Sequence, residues 1–165
     1  MASGNKIVVT PYPKGVFLEG RIRGPESPGI MVQIDVSESA ISGRFQWEPY
    51  DQAVDAQMGL VAILLEDELQ GKVNSAAYVD GDRCFMYCPI PGEEMNIMLQ
   101  DLSGTGDDHS LGDRVVVDDG TGKFIATTGT AADKSEPFIL LEAVVDPNVE
   151  GSAPGVLTHA MFTGY

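Results

Sequence analysis

The chain has 165 residues, and its 25 acidic residues outnumber 10 Lys and Arg, which gives a net charge of −15. A chain of this length buries about 70% of its unfolded surface, so it needs neither a metal ion nor a disulfide bond to fold. The acidic balance argues against nucleic-acid binding, and no apolar stretch approaches the ~20 residues that span a membrane.

Residues 1–15 are predicted to form an extended amino-terminal arm, which precedes a single β-rich domain over residues 16–165. Ile7-Val8-Val9 is a short apolar stretch, and the prolines of Thr10-Pro11-Tyr12-Pro13 hold the following segment extended. Two structures fit this region: an arm that orders only on a partner, or an edge strand of the core. The apolar stretch is too short for the core of a signal peptide, so we expect a protein that is kept in the cytoplasm or released by lysis.

The first part of the domain has the composition and periodicity of β-strands. Gly and Pro, 19 and 10 in the whole chain, are scattered between short apolar runs, as in short strands joined by turns. A strand is predicted at 16–22, followed by a loop rich in Gly and Pro. Phe45 and Trp47 fall on one face of a later strand, so both are expected in the core. The clearest alternation of apolar residues is at Ile30, Val32, Ile34 and Val36.

The segment 51–69 fits two kinds of secondary structure. Its apolar residues recur at helical spacing, and Asp51 could cap such a helix. A continuous apolar run that begins at Leu60 instead suits a strand buried on both faces. We expect a short helical turn near 51–57 and then a strand at 60–66.

The only two cysteines lie in a predicted strand at 83–88. In that strand Cys84 and Cys88 are roughly 13 Å apart along one face, which is too far for a disulfide bond. We therefore expect two free, buried thiols. The next strand is predicted from the alternation of apolar residues over 95–99.

The tripeptide Gly-Asp-Arg occurs at 81–83 and again at 112–114, each time just before a predicted strand. A weak internal duplication would explain the recurrence, but Gly-Asp is common where a turn leads into a strand. We therefore interpret both copies as strand-entry turns.

The region after residue 112 predicts a β-hairpin. Val115-Val116-Val117 leads into a tight Asp/Gly turn, and a second apolar strand begins at Phe124. Within the turn, Gly120-Thr121-Gly122-Lys123 is similar to the end of a nucleotide-binding P-loop. The full motif requires a Gly five residues before Gly122 and a Ser or Thr after the Lys, and this chain has Val117 and Phe124 there. We therefore interpret the segment as a hairpin turn and not as a phosphate site.

The remaining polar clusters do not form a recognisable catalytic or metal site. Asp107, Asp108 and Asp113 lie close together in the sequence but do not reproduce a calcium-binding loop. His109 and His159 lack the partner spacing of a zinc site, and the chain has no Gly-x-Ser-x-Gly elbow. We therefore expect no catalytic residues, no cofactor, no metal ion, and a protein that is not an enzyme.

A series of turn elements follows residue 60 in a defined order. The series is Leu69-Gln70-Gly71, Gly81-Asp82-Arg83, Pro91-Gly92-Glu93-Glu94, Leu111-Gly112-Asp113, Asp119-Gly120-Thr121-Gly122-Lys123 and Phe162-Thr163-Gly164-Tyr165. Each element alone is ordinary turn chemistry, so the specificity lies in their order. This order resembles that of small capsid decoration (cement) proteins of tailed bacteriophages.

The resemblance implies an all-β fold: a compact β-barrel or β-sandwich-like domain with little helix, associated as a homotrimer. It implies a structural protein that binds the outer surface of the assembled head and bridges neighbouring major capsid protein subunits. Such a protein is found on the virion, and in the host cytoplasm during assembly. The competing interpretation is a host-surface or glycan-binding module of a tail or fibre. The candidate capsid-binding residues are Ile7, Val8, Val9, Tyr12 and Tyr165.

Overall fold

The fold is all-β, as predicted. A computed structural model describes residues 7–35, 44–51, 60–67, 77–100, 109–118, 120–126, 137–143 and 156–164. Within these residues the chain contains ten strands and no helix. The strands are β1 (Val16–Ile22), β2 (Met31–Ile34), β3 (Gln46–Pro49), β4 (Val61–Leu64), β5 (Arg83–Cys88), β6 (Glu94–Leu99), β7 (Arg114–Val117), β8 (Phe124–Ala126), β9 (Phe138–Leu140) and β10 (Val156–Phe162).

Several predicted elements are confirmed. The strand predicted at 60–66 is β4, and the hairpin around the Gly120 turn is the antiparallel pair of β7 and β8. Both cysteines lie in β5 as free thiols. The helical turn predicted near 51–57 lies outside the described residues, apart from Asp51.

The ten strands close into two barrels of five strands each. We call them the amino-terminal barrel, with the order β1-β3-β2-β4-β5, and the carboxy-terminal barrel, with the order β10-β6-β8-β7-β9. In the first barrel β1 pairs parallel with β3 and antiparallel with β5. In the second barrel β6 pairs in the same two ways with β8 and β10. The other three pairs of each barrel are antiparallel and follow the same sequence order, so the two barrels share one topology.

The residue register is repeated as well as the strand order. Leu18 lies opposite Met86 in the first barrel, and Met95 lies opposite Ala160 in the second. Ile22 follows Leu18 by four residues in β1, and Leu99 follows Met95 by four residues in β6. These two residues also correspond across the parallel pairs, where Ile22 lies opposite Trp47 and Leu99 opposite Phe124. The chain is therefore an internal repeat of one five-stranded barrel.

The repeated Gly-Asp-Arg tripeptide is not part of this repeat. The copy at 81–83 leads into β5, whereas the copy at 112–114 leads into β7, and the topology makes β7 equivalent to β2. Gly81 and Gly112 both have positive φ, 79° and 90°, which a turn residue without a side chain adopts readily. Both copies are therefore strand-entry turns, as predicted.

The two barrel interiors are filled by different side chains at equivalent positions. The amino-terminal barrel places the large Trp47 beside two small residues, Gly20 and Ala62. At the positions equivalent to these small residues, the carboxy-terminal barrel has Ile97 and Phe138. Interiors are packed to near-crystal density, so a large residue in one strand requires small ones opposite. The same shape is thus filled by different residues.

Phe45 is not a core residue, contrary to the sequence-based expectation. It precedes the first residue of β3, Gln46, and its side chain is 60% exposed, while Trp47 is buried. Apolar and polar residues do alternate in this segment, but the alternation begins before the part of the chain that belongs to the barrel. Burial requires a neighbouring strand, and β1 pairs with β3 only from Gln46 onward.

The two barrels are joined by backbone hydrogen bonds and by apolar packing. The amide of Met98 donates to the carbonyl of Gly29 at 2.9 Å, and the amide of Met31 donates to the carbonyl of Gly122 at 2.7 Å. Gly122 has a φ of 65°, and a Cβ there would overlap the Met31 carbonyl. Outward-facing residues of the amino-terminal barrel, Met31, Ile63, Leu65 and Tyr87, share one buried cluster with the interior of the carboxy-terminal barrel.

Candidate binding surface

Residues 7–10 lie along the edge of β6. Val8 and Met95 form an antiparallel bridge, and the amide of Asn96 donates to the carbonyl of Ile7 at 2.7 Å. This edge is available because β8 pairs with β6 only at Leu99. The segment therefore adds a short extra strand beside the parallel pair of the carboxy-terminal barrel.

Ile7 anchors this segment. Its side chain is fully buried in the core cluster of the carboxy-terminal barrel. Its amide lies 3.1 Å and 3.0 Å from the two carboxylate oxygens of Glu66. A fully buried side chain does not contact a partner while the segment is packed in this way.

Glu93 holds the next part of the chain. Its buried carboxylate accepts hydrogen bonds from the Lys14 amide at 2.5 Å, the Ile90 amide at 2.9 Å and the Tyr87 hydroxyl at 2.7 Å. The Tyr87 hydroxyl in turn accepts from the Gly15 amide at 2.7 Å. Glu93 therefore ties the start of β1 to the connection between the two barrels.

The electrostatics of this cluster follow from its hydrogen bonds. Burial raises the pKa of Glu93, but the Lys14 and Ile90 amides and the Tyr87 hydroxyl stabilise the carboxylate more strongly, so its pKa lies below the ordinary value. Burial, together with the adjacent Glu93 carboxylate, raises the pKa of Tyr87 to about 12. Tyr87 thus remains a neutral hydrogen-bond donor and Glu93 a charged acceptor at neutral pH.

A groove of about 380 Å³ lies between the amino-terminal segment and the outer face of the amino-terminal barrel. Among the described residues, its only charged lining group is the Glu66 carboxylate, and no described cationic group pairs with it. We call it the amino-terminal groove. Its lining residues are Val8, Val9, Pro11, Pro13, Phe17 and Leu65, with Thr10 and Glu66.

Large apolar side chains are exposed beside the groove. Tyr12 is 84% exposed and Phe17 is 57% exposed. The Phe17 ring centroid lies 4.7 Å from that of Tyr87, so the buried tyrosine supports one side of the exposed ring. Adjacent exposed apolar side chains are a common mark of an interaction surface.

The structure places four of the five predicted binding residues, and it places them in different environments. Val8 and Val9 line the groove, Tyr12 projects beside it, and Ile7 is buried beneath it. Tyr165 lies outside the described residues. Capsid binding by these residues stays a prediction.

The sequence analysis missed Phe17 as a surface residue. The run Val16-Phe17-Leu18 contained the necessary signal, because three consecutive apolar residues in a strand place at least one side chain outward. Glu93 was not identified either, because its partners Lys14 and Ile90 lie in a distant segment and in a turn, and Tyr87 belongs to β5. No pattern in the local sequence indicates such contacts.

The described residues contain no group of three or more His, Cys, Asp and Glu that could hold a metal ion. In the same residues, no helix is long and apolar enough to cross a membrane.

No protein-family model matches this chain, and no curated protein matches it. Among solved structures, the chain is similar to the N base of head fiber gp8.5 in bacteriophage phi29. The two are 11% identical, with 90% of this chain and 94% of that one covered, and the TM-score is 0.48. At this identity and TM-score the likeness defines neither a fold family nor a function.

Proposed function

We propose that this protein is a non-enzymatic structural component of a tailed-phage virion, which binds the outer surface of the assembled head and bridges neighbouring major capsid protein subunits. The observation that carries the proposal is the exposed apolar surface of Tyr12 and Phe17 beside the amino-terminal groove. The ordered series of turn elements, which resembles that of capsid decoration proteins, supplies the identity of the partner.

The fixed framework behind this surface suits a binding role. Tyr12 and Phe17 are of the residue type that contributes most to protein interfaces when they become buried. The Glu93 hydrogen bonds hold the backbone on the amino-terminal side of β1, so little conformational entropy is lost when a partner binds. A modest interface is sufficient for a head protein, because many copies act together on one shell.

The net charge of −15 supports the outer surface as the binding side. Packaged DNA presents a dense array of phosphates to the inner surface, and a strongly acidic protein is repelled there. Self-association as a homotrimer is part of the proposal, and a sedimentation-equilibrium mass of the free protein tests it directly.

The binding experiment compares two exposed apolar residues on different barrels. Tyr12→Ser removes a side chain from the proposed surface, and Leu111→Ser removes one that is 69% exposed on the carboxy-terminal barrel. Both variants are expected to keep the wild-type urea midpoint. In cosedimentation with purified phage heads, Tyr12→Ser should bind about tenfold more weakly, and Leu111→Ser should bind as the wild type does.

Equal binding of heads by the two variants would contradict the assignment of Tyr12 to the head-binding surface. Failure of the wild-type protein to bind heads, combined with specific retention on a glycan array, would favour the host-surface or glycan-binding function instead.

A further inference from the structure

One part of β1 has an open backbone edge. The amide of Arg21 donates to the carbonyl of Phe45 at 3.1 Å, on the side of β1 that faces β3. Because alternate residues of a strand direct their N–H and C=O groups to the same side, Phe17 and Glu19 also point away from β5. β3 reaches β1 only at the Arg21 and Ile22 pairs. Among the residues that the structure describes, the backbone groups of Phe17 and the amide of Glu19 have no partner.

The equivalent edge of the other barrel is occupied. The repeat places Leu18 at the position of Met95, so Phe17 and Glu19 correspond to Glu94 and Asn96. There, the Asn96 amide donates to Ile7 at 2.7 Å, and the Glu94 carbonyl accepts from the Val9 amide at 3.0 Å. The repeated fold therefore shows what this kind of edge holds: an extended segment that runs antiparallel to the strand.

We propose that the β1 edge at residues 17–19 binds an extended segment of the major capsid protein as an added antiparallel strand, an inference that rests on the proposed function above. The Glu19 amide would donate to that segment, and the Phe17 carbonyl would accept from it. Closure of a barrel leaves few free strand edges, and strand addition supplies affinity through backbone hydrogen bonds.

The occupied edge also indicates the chemistry of the incoming segment. Val8 lies opposite Met95, so a β-branched apolar residue fits opposite Leu18. Phe17 borders the groove, where the Glu66 carboxylate is the only charged group among the described lining residues. A Lys or Arg near the apolar residue would therefore complement the surface.

A second copy of this chain is a less suitable occupant. Its own residues 7–10 already pair with β6 and are not available to a neighbouring copy. The segment is therefore assigned to a different protein.

Hydrogen–deuterium exchange with residue-level resolution tests this inference. In the free protein the amides of Phe17 and Glu19 should exchange rapidly, because nothing in the described structure accepts from them, whereas the Asn96 amide should be protected. On purified heads, exchange at the Glu19 amide should slow by about tenfold or more, while Asn96 should remain as it was. Asn96 is the matched internal control, because it occupies the equivalent position in the repeat.

The possible outcomes separate the two proposals. Bound protein with unchanged exchange at the Glu19 amide refutes the strand addition and leaves head binding in place. Absence of cosedimentation with heads refutes the proposed function and this inference with it. Protection that grows with the concentration of free protein, without heads, makes a second copy the occupant and overturns the assignment to the major capsid protein.

A pair of variants at Glu19 isolates the backbone contribution. Glu19→Ala removes the side-chain ion pairs with Arg44 at 2.7 Å and Arg83 at 2.9 Å, but keeps the amide. Glu19→Pro removes the same ion pairs and the outward amide as well, without loss of a hydrogen bond to β5. Glu19→Pro should bind heads about tenfold more weakly than Glu19→Ala. Equal binding by two folded variants contradicts the proposal, and the exchange experiment decides it if Glu19→Pro does not fold.

Discussion

Glu93 is predicted to be a principal determinant of stability at neutral pH. Glu93→Gln preserves the shape of the side chain but replaces one carboxylate oxygen with an NH2 group. That NH2 group is a donor, so it cannot accept a hydrogen bond from the backbone N–H or hydroxyl that it faces. At least one of the three hydrogen bonds, to Lys14, Ile90 and Tyr87, is therefore lost, and the others become neutral.

The magnitude follows from typical hydrogen-bond energies. A buried hydrogen bond to a charged group contributes about 1.5–3 kcal/mol, and a neutral one about 0.5–1.5 kcal/mol. Loss of one bond and weakening of two gives a decrease of roughly 3.5–6 kcal/mol in the free energy of unfolding. Glu94→Gln is the matched control, because its half-exposed carboxylate only pairs with His159 at the surface. Glu94→Gln should change the free energy of unfolding by less than about 1 kcal/mol.

The pH dependence provides a second test. Since the pKa of Glu93 is lowered in the folded protein, its contribution is present above the unfolded pKa of about 4.3 and is lost as pH falls through the folded value. Urea unfolding followed by the fluorescence of Trp47, the only tryptophan, should therefore show a large difference between wild type and Glu93→Gln at pH 7. The difference should shrink towards pH 3. A difference below about 0.5 kcal/mol at pH 7, or one independent of pH, would refute the reasoning.

Three further predictions use the same urea assay. Gly20→Ala places a methyl group against the Trp47 indole and should lower the free energy of unfolding by about 1–3 kcal/mol, with a shifted Trp47 emission; an unaltered emission and midpoint would contradict the packing. Burial raises the pKa of Glu26 to about 7, so its ionisation opposes folding progressively between about pH 4.3 and pH 7. Glu26→Gln should thus raise the urea midpoint at pH 8 but not at pH 4, and an equal effect at both would rule out this origin. Ile7→Ala should lower the free energy of unfolding by about 2–5 kcal/mol, and a neutral result would mean that the segment is not packed on the barrel in solution.

The sequence predicts the strands of this protein well, because local periodicity encodes them. The strand predicted at 83–88 is β5, and the one predicted at 16–22 is β1. Phe45 shows that alternation alone does not predict burial. Alternation identifies which side chains share a face, but only the neighbouring strand determines how far along the chain that face is buried.

The repeat of the barrel could not be predicted from the sequence. Its register is conserved, but the residues that fill the interiors are not: Gly20 and Ala62 correspond to Ile97 and Phe138. Only the total volume must be preserved, and many combinations of side chains fill one shape. The repeated tripeptide that the sequence does show belongs to non-equivalent turns.

The binding surface was only partly predictable for a related reason. The segment that contains Val8, Val9 and Tyr12 was identified by its apolar residues and prolines. The groove beside it depends on Phe17 and Leu65, which come from strands that meet only in the folded barrel. The unpaired edge of β1 is set by where its described pairing with β3 ends, and backbone pairing of this kind leaves no mark in the side-chain pattern.

Cryo-electron microscopy of purified virions tests the central claim most directly. The proposal predicts density for two small adjoining β-barrels on the outside of the head, at the boundary between major capsid protein subunits. The amino-terminal barrel and Tyr12 should face the shell. Heads with a bare outer surface, or density for this protein only at the tail, would contradict the account.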